Sequence, residues 1–289
     1  MSKLSIGTVQ FGLDYGIANS AGKVPIKEAQ KILREASLNH INMIDTAAAY
    51  GDSEKMLGKV GVNDFHVVTK LPELTFSKSN VSVCVESIFL DSLRHLNVPK
   101  VYGLLLHCPL QLLTNNGQAL YKAMLNLKEQ GLVEKIGISV YQPEELDALF
   151  SEYDFDLVQV PFNIMDRRLI DSGWLLKLKE KGVEVHARSI FLQGLLLMPY
   201  QHRPEKFKLW DDLWRKWDGW LQEHNLTPLE ASIRYALSVA EISNVIVGVN
   251  SKTQLKQIIT AMDGTLPEIP SEIFSDDINL LNPAKWSSL

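Results

Sequence analysis

Cysteine is almost missing from this chain: two in 289 residues, Cys84 and Cys108, in unrelated contexts. That excludes a disulfide framework and a cysteine-rich metal centre, and it fits a reducing compartment. No apolar run approaches the roughly 20 residues needed to cross a bilayer. The opening Met1-Ser-Lys-Leu-Ser-Ile-Gly lacks the basic stretch, apolar core and small-residue cleavage site of a secretory leader, so a cytoplasmic protein is expected. Neither sign of charge dominates. The 29 Lys and Arg against 34 Asp and Glu leave a net charge of -5, which gives no reason to expect nucleic acid or an anionic membrane as a partner. No G-x-G-x-x-G follows a strand-like run, so a Rossmann dinucleotide site is not supported. Linkers rich in Pro, Gly or Ser are also lacking, and one domain is expected over residues 1–289.

What the chain does have is a regular alternation. Short apolar runs lie at Leu4–Val9, Asn42–Thr46, Phe65–Lys70, Val101–His107, Lys135–Val140, Leu157–Val160, Val183–Ala187 and Asn244–Val249. Their length and near-continuous apolarity suit strands covered on both faces, as in a parallel sheet. Between them lie helical patterns at Ile26–Asn39, Ser53–Val60, Ser79–Leu96, Gln118–Gln130, Pro143–Phe150, Arg168–Lys181, Pro228–Val239 and Lys252–Ala261. Thr227-Pro228 and Gln142-Pro143 open helices, while Gly131 and Gly182 stand just past helix ends. Eight strand–helix units in alternation predict a closed (β/α)8 TIM barrel, with an open doubly wound sheet as the rival. One segment, 191–225, interrupts the rhythm and holds Trp210, Trp214, Trp217 and Trp220. Their spacing makes an apolar stripe, read as an extra helix on the barrel, or else as a segment overhanging the active site.

A barrel enzyme places its chemistry where the strands end, because eight loops converge there. The predicted ends supply Asp45-Thr46 on strand two, Lys70 on strand three, His107 on strand four, Ser139, Gln159, Arg188 and finally Gly248. Singly, each has a structural explanation: a cap, a surface lysine, a satisfied core histidine. Together on consecutive strands they suggest one polar site. Gly7-Thr8-Val9-Gln10-Phe11-Gly12, then Asp45-Thr46-Ala47-Ala48-Ala49-Tyr50-Gly51-Asp52-Ser53-Glu54, then Lys70 and His107, resemble the aldo-keto reductase superfamily over nearly the whole chain.

Reducing a carbonyl requires a hydride at carbon and a proton at oxygen, and no side chain can donate the hydride. The resemblance implies an NAD(P)H-dependent reductase in which Tyr50 is the acid, Lys70 and Asp45 tune it, and His107 guides the carbonyl. A free tyrosine has pKa about 10, so a neighbouring ammonium is expected to lower it. Glu54 either holds the loop or is solvated on its helix, and Asp14 and Tyr15 are further candidates to line the site. On the cofactor side the resemblance implies Gly7, Thr8, Asp45, Ser139, Gln159, Arg188 and Gly248, with Asn250, Ser251, Lys252 and Gln254 at the adenosine end. A helix N-terminus there offers free N–H groups to phosphate. Two positions depart from the family: Val140 follows Ser139 where Asn is common, and Arg188 stands where an aromatic often stacks on nicotinamide. NADPH is expected over NADH, because Lys252 can meet a 2′-phosphate, although Asn250 stands where a basic residue is frequent in the family.

No metal site is expected. The substrate is read as a small-molecule carbonyl, with a sugar or nucleotide-linked sugar expected on the strength of Arg188, the tryptophan segment and Trp286. The opening Phe11-Gly-Leu-Asp-Tyr-Gly-Ile-Ala-Asn19 also resembles reductases linked to surface-polysaccharide pathways. Two other functions stay open at this point: a Schiff-base aldolase using Lys70, and a redox-sensing regulatory subunit that binds nicotinamide nucleotide.

Overall fold

The computed structural model describes residues 2–75 and 81–289. Met1, and the Ser79 and Asn80 that begin the helix expected over Ser79–Leu96, lie outside the described residues; the helix is described from Val81 to Leu96. Eight strands run parallel: β1 (Leu4–Gly7), β2 (Met43–Asp45), β3 (His66–Leu71), β4 (Val101–Leu106), β5 (Val133–Ser139), β6 (Leu157–Pro161), β7 (Glu184–Arg188) and β8 (Asn244–Gly248). Each pairs with its sequence neighbour, and β8 pairs with β1 to close the barrel. The open doubly wound alternative is therefore excluded.

Strand alternation decides which side chains enter the barrel. Met43, Val68, Leu105 and Leu157 form a small buried cluster of their own, apart from the large core between strands and helices. Two residues further along the same strands or just past them stand Asp45, Lys70, His107 and Gln159. An apolar layer thus underlies the polar rim, and burying each such side chain contributes about 1.5–3 kcal/mol. Below that layer the barrel floor is polar. Ser5, Asn244, His186 and Glu184 are joined there by hydrogen bonds of 2.8–3.1 Å.

Two of the differences from the sequence reading have a clear local cause. The first strand stops at Gly7, and Val9–Gly12 winds into a helical turn instead of continuing to Val9 as strand. Close packing explains the turn: a Cβ on Gly12 would lie 1.6 Å from the Tyr50 carbonyl oxygen. The helix expected over Arg168–Lys181 is broken into Arg168–Asp171 and Trp174–Glu180. Gly173 sits between them at φ 74°, a left-handed conformation that interrupts helix and favours glycine.

The inserted segment divides its labour. Its tryptophan helix, Asp211–Glu223, buries Trp214, Trp217 and Trp220 in the core. The Trp214 and Trp220 indoles donate to the carbonyls of Phe207 and Glu268, and the half-buried Trp210 donates to Asp277. Only the beginning of the segment reaches the central cavity, through Phe191, Gln193, Gly194 and Leu197.

Candidate active site

All eight strands point the same way, so their C-terminal ends share one rim, and a cavity of 640 Å³ opens there. Register brings the polar groups into contact. Gly7 lies opposite both Asp45 and Gly248, and Ser139 lies opposite Gln159. Lys70, fully buried, donates to Asp45 Oδ1 at 2.7 Å, to Asp45 Oδ2 at 2.8 Å and to the Thr46 carbonyl at 2.8 Å. Gln159 Nε2 donates to the same Asp45 Oδ1 at 2.6 Å, and Ser139 Oγ donates to Gln159 Oε1 at 3.4 Å. The Thr8 hydroxyl donates to the Asp45 carbonyl at 2.9 Å, and Ser53 Oγ donates to the Thr8 carbonyl at 2.9 Å. The Asp45 carboxylate is thereby held by β3 and β6, and its backbone carbonyl by the Thr8 turn.

Tyr50 follows on the loop after β2. Its ring centroid is 5.0 Å from Lys70 Nζ and 5.7 Å from the His107 ring, which meets it edge-on. Burial raises the Tyr50 pKa above its ordinary value, the Asp45 charge raises it further, and Arg188 opposes both. This corrects the expectation that Lys70 lowers it: the ammonium is neutralised by Asp45, so desolvation dominates. The phenol stays protonated through neutral pH. Burial pulls Lys70 below its ordinary value, with Asp45 opposing. Burial, together with Lys70 and Arg188, lowers His107 to about 4, so its imidazole is neutral at pH 7.

Glu54 is buried and accepts from Thr69 Oγ1 at 2.6 Å, tying helix Ser53–Val60 to β3. Of the two residues weighed after the first turn, Tyr15 lines the cavity and Asp14 does not. Arg188 donates from Nη2 to the Val140 carbonyl at 3.0 Å, with its guanidinium 4.6 Å from the Tyr141 ring centroid. Tyr141 also lines the cavity and was missed in the sequence, because its partnership with Arg188 crosses 47 residues between β5 and β7. Trp210, Trp214, Trp217, Trp220 and Trp286 do not line the cavity.

At the β8 end, Gly248, Asn250 and Gln254 line the cavity, whereas Ser251 and Lys252 do not. Ser251 Oγ caps the following helix by accepting from the Gln254 N–H at 3.2 Å. Lys252 Nζ is 3.1 Å from Glu35 Oε2, so the charge expected to meet a 2′-phosphate is already paired.

The cavity suits a nicotinamide dinucleotide. Its volume falls within the roughly 300–1,000 Å³ of ordinary ligand sites. Gln10 also leaves its Oε1 buried without a partner among the described residues, on the cavity wall, where a Cβ on Gly248 would come within 2.5 Å of its Nε2. An unpaired buried acceptor is costly, and a ligand donor would satisfy it.

The sequence profile of the aldo/keto reductase family matches residues 3–271. The chain is 27% identical over 281 residues to L-galactose dehydrogenase of Arabidopsis thaliana, a match covering 90% of this chain and 85% of that one. It is 29% identical over 155 residues to methylglyoxal reductase of Escherichia coli, and so spans 52% of that enzyme's length and 52% of its own. Among solved structures, an aldo-keto reductase from Bacillus halodurans in its holo form shares the fold with a TM-score of 0.71 at 21% identity, covering 94% of this chain and 89% of that one. With the barrel, the strand-end residues and the profile match in agreement, the chain belongs to the aldo/keto reductase family and is an oxidoreductase of that family.

Proposed function

We propose that this chain reduces the aldehyde or ketone of a polar substrate to the alcohol, with Tyr50 as proton donor. The observation that carries this reading is the grouping of three residues from consecutive strand ends. The Tyr50 ring stands 5.0 Å from the Lys70 ammonium and 5.7 Å from the His107 ring, beside one cavity. A nicotinamide cofactor, when bound, supplies the hydride. Tyr50 holds the proton that the carbonyl oxygen needs, and its raised pKa keeps that proton in place until charge develops on the oxygen. Neutral His107 offers a hydrogen bond to the same oxygen without adding a cation. Lys70, held by Asp45 and Thr46, stabilises the phenolate left behind without moving toward it.

The Schiff-base alternative is disfavoured by the same geometry. A nucleophilic amine needs a free lone pair and access, whereas Lys70 is fully buried and makes three hydrogen bonds. A polar substrate is favoured because Arg188, Tyr141, Tyr15 and Gln193 stand around the reacting end. The tryptophans offer the substrate no surface, since they are packed away from the cavity. An Arg188 held flat on Tyr141 presents its remaining N–H groups to a carboxylate, phosphate or sugar hydroxyl. The test is a panel of small aldehydes, aldoses, ketoses and sugar nucleotides, scored by loss of reduced-nicotinamide absorbance. Polar sugars should give the highest kcat/KM, and Arg188→Ala should raise their KM. Highest specificity for small neutral aldehydes would overturn the substrate reading.

A further inference from the structure

Nicotinamide must lie beside Tyr50, so the adenosine of the cofactor has to occupy the other lobe of the cavity. That lobe runs between helix Lys252–Ala261 and the loop at Ser20 and Ala21, and Asn250, Gln254 and Gln257 are its polar side chains on the helix side. None of them is charged. Among the described residues lining the cavity, the charged side chains are Asp45 and Arg188, both at the reacting end.

The two lysines of the helix beside the lobe are already paired. Lys252 lies 3.1 Å and Lys256 3.9 Å from the Glu35 carboxylate, and Lys31 is 3.0 Å from Glu28. The donors at the start of the helix are also engaged. Glu28 Oε1 accepts from the Lys252 N–H at 2.9 Å, and Gln254 Oε1 accepts from the Asn250 N–H at 2.7 Å. Two of the backbone donors that an anion would use there are taken by a carboxylate and an amide oxygen of the chain itself.

Resting on the reductase reading above, we infer that the neutral lobe, backed by Glu28 and Glu35, selects an unphosphorylated adenosine ribose, so that NAD(H) binds in preference to NADP(H). A 2′-phosphate carries close to two negative charges. In this lobe it would have no cation and would face two carboxylates behind the helix start. A ribose hydroxyl needs only neutral partners; Asn250 Nδ2 is taken by Asn19 and Gln254 Oε1 by the Asn250 N–H, which leaves Asn250 Oδ1 and Gln254 Nε2 to supply them. The preference for NADPH expected from Lys252 thus loses its physical basis.

Titration calorimetry on the ligand-free protein tests this without turnover. NAD⁺, NADP⁺, 5′-AMP and adenosine 2′,5′-bisphosphate are titrated into wild type and Asn250→Arg. Wild type should bind NAD⁺ about tenfold or more tighter than NADP⁺, corresponding to loss of about one charge-assisted contact. The bisphosphate should bind no tighter than 5′-AMP. Asn250→Arg, which places a guanidinium in the lobe, should tighten NADP⁺ and the bisphosphate by a similar factor. Equal or tighter binding of NADP⁺ by wild type, or an unchanged ratio in Asn250→Arg, overturns the inference and leaves the reductase reading intact. No binding of either dinucleotide overturns both.

Discussion

The buried Lys70–Asp45 pair makes the site rigid, and it also ties catalysis to stability. Removing one member of a buried pair leaves an uncompensated charge and costs about 3–5 kcal/mol, whereas replacing both costs much less. Lys70→Met should therefore lower the unfolding midpoint sharply, and Asp45→Asn combined with Lys70→Met should recover most of that loss without restoring turnover. Chemical denaturation of the two variants checks this, and equal destabilisation would mean that the pair is not coupled. His107 gives a second expectation. Its pKa is depressed to about 4, so the imidazole is neutral above that value and protonates only as pH falls through it. Reduction should keep its rate through neutrality and lose it on an acid limb near pH 4. A limb near the ordinary histidine value of about 6.5 would contradict the burial argument. The identities of these residues were legible because each ends a strand-like run. Their electrostatics were not. Desolvation depends on the whole rim, and it reversed the expected influence of Lys70 on Tyr50.

At the scale of elements, alternation of apolar runs and amphipathic stretches was enough to locate every strand and most helix limits. What it could not reveal was contact between loops. The turn at Val9–Gly12 exists because it packs against the Tyr50 loop, where Gly12 approaches the Tyr50 carbonyl too closely for any side chain. Gly12→Ala should therefore displace Tyr50 as well as the turn. Turnover should fall more than the change in thermal midpoint explains, with the remaining protein still folded by circular dichroism. Unchanged turnover would show that the loop tolerates the shift. Tyr141 was illegible for the same reason, since its position depends on neighbours brought together by barrel closure. The tryptophan stripe of 191–225, by contrast, announced its packed helix and left open only which part of the segment meets the cavity.

For the whole molecule, the barrel is polar at both ends with an apolar layer between, and the floor has its own pH dependence. Burial alone would raise the Glu184 pKa, but hydrogen bonds from His186, Lys135 and Tyr102 outweigh it and bring the carboxyl to about 2. A depressed carboxyl stabilises the fold above its unfolded value and loses that contribution as pH falls. The stability gap between wild type and Glu184→Gln should be full at pH 6 and close as pH drops from 4.5 toward 2. A gap independent of pH would place the effect in packing. The rim, by contrast, carries the claim on which the functional account rests, that Tyr50 delivers the proton. Phenylalanine preserves the ring and its contacts with His107 while removing the hydroxyl. The decisive measurement is single-turnover oxidation of bound reduced nicotinamide by a reactive carbonyl in wild type and Tyr50→Phe, with cofactor affinity measured alongside. A loss of roughly 10²–10⁴-fold in the chemical step at unchanged cofactor affinity is predicted; a near-normal rate in Tyr50→Phe would contradict the account.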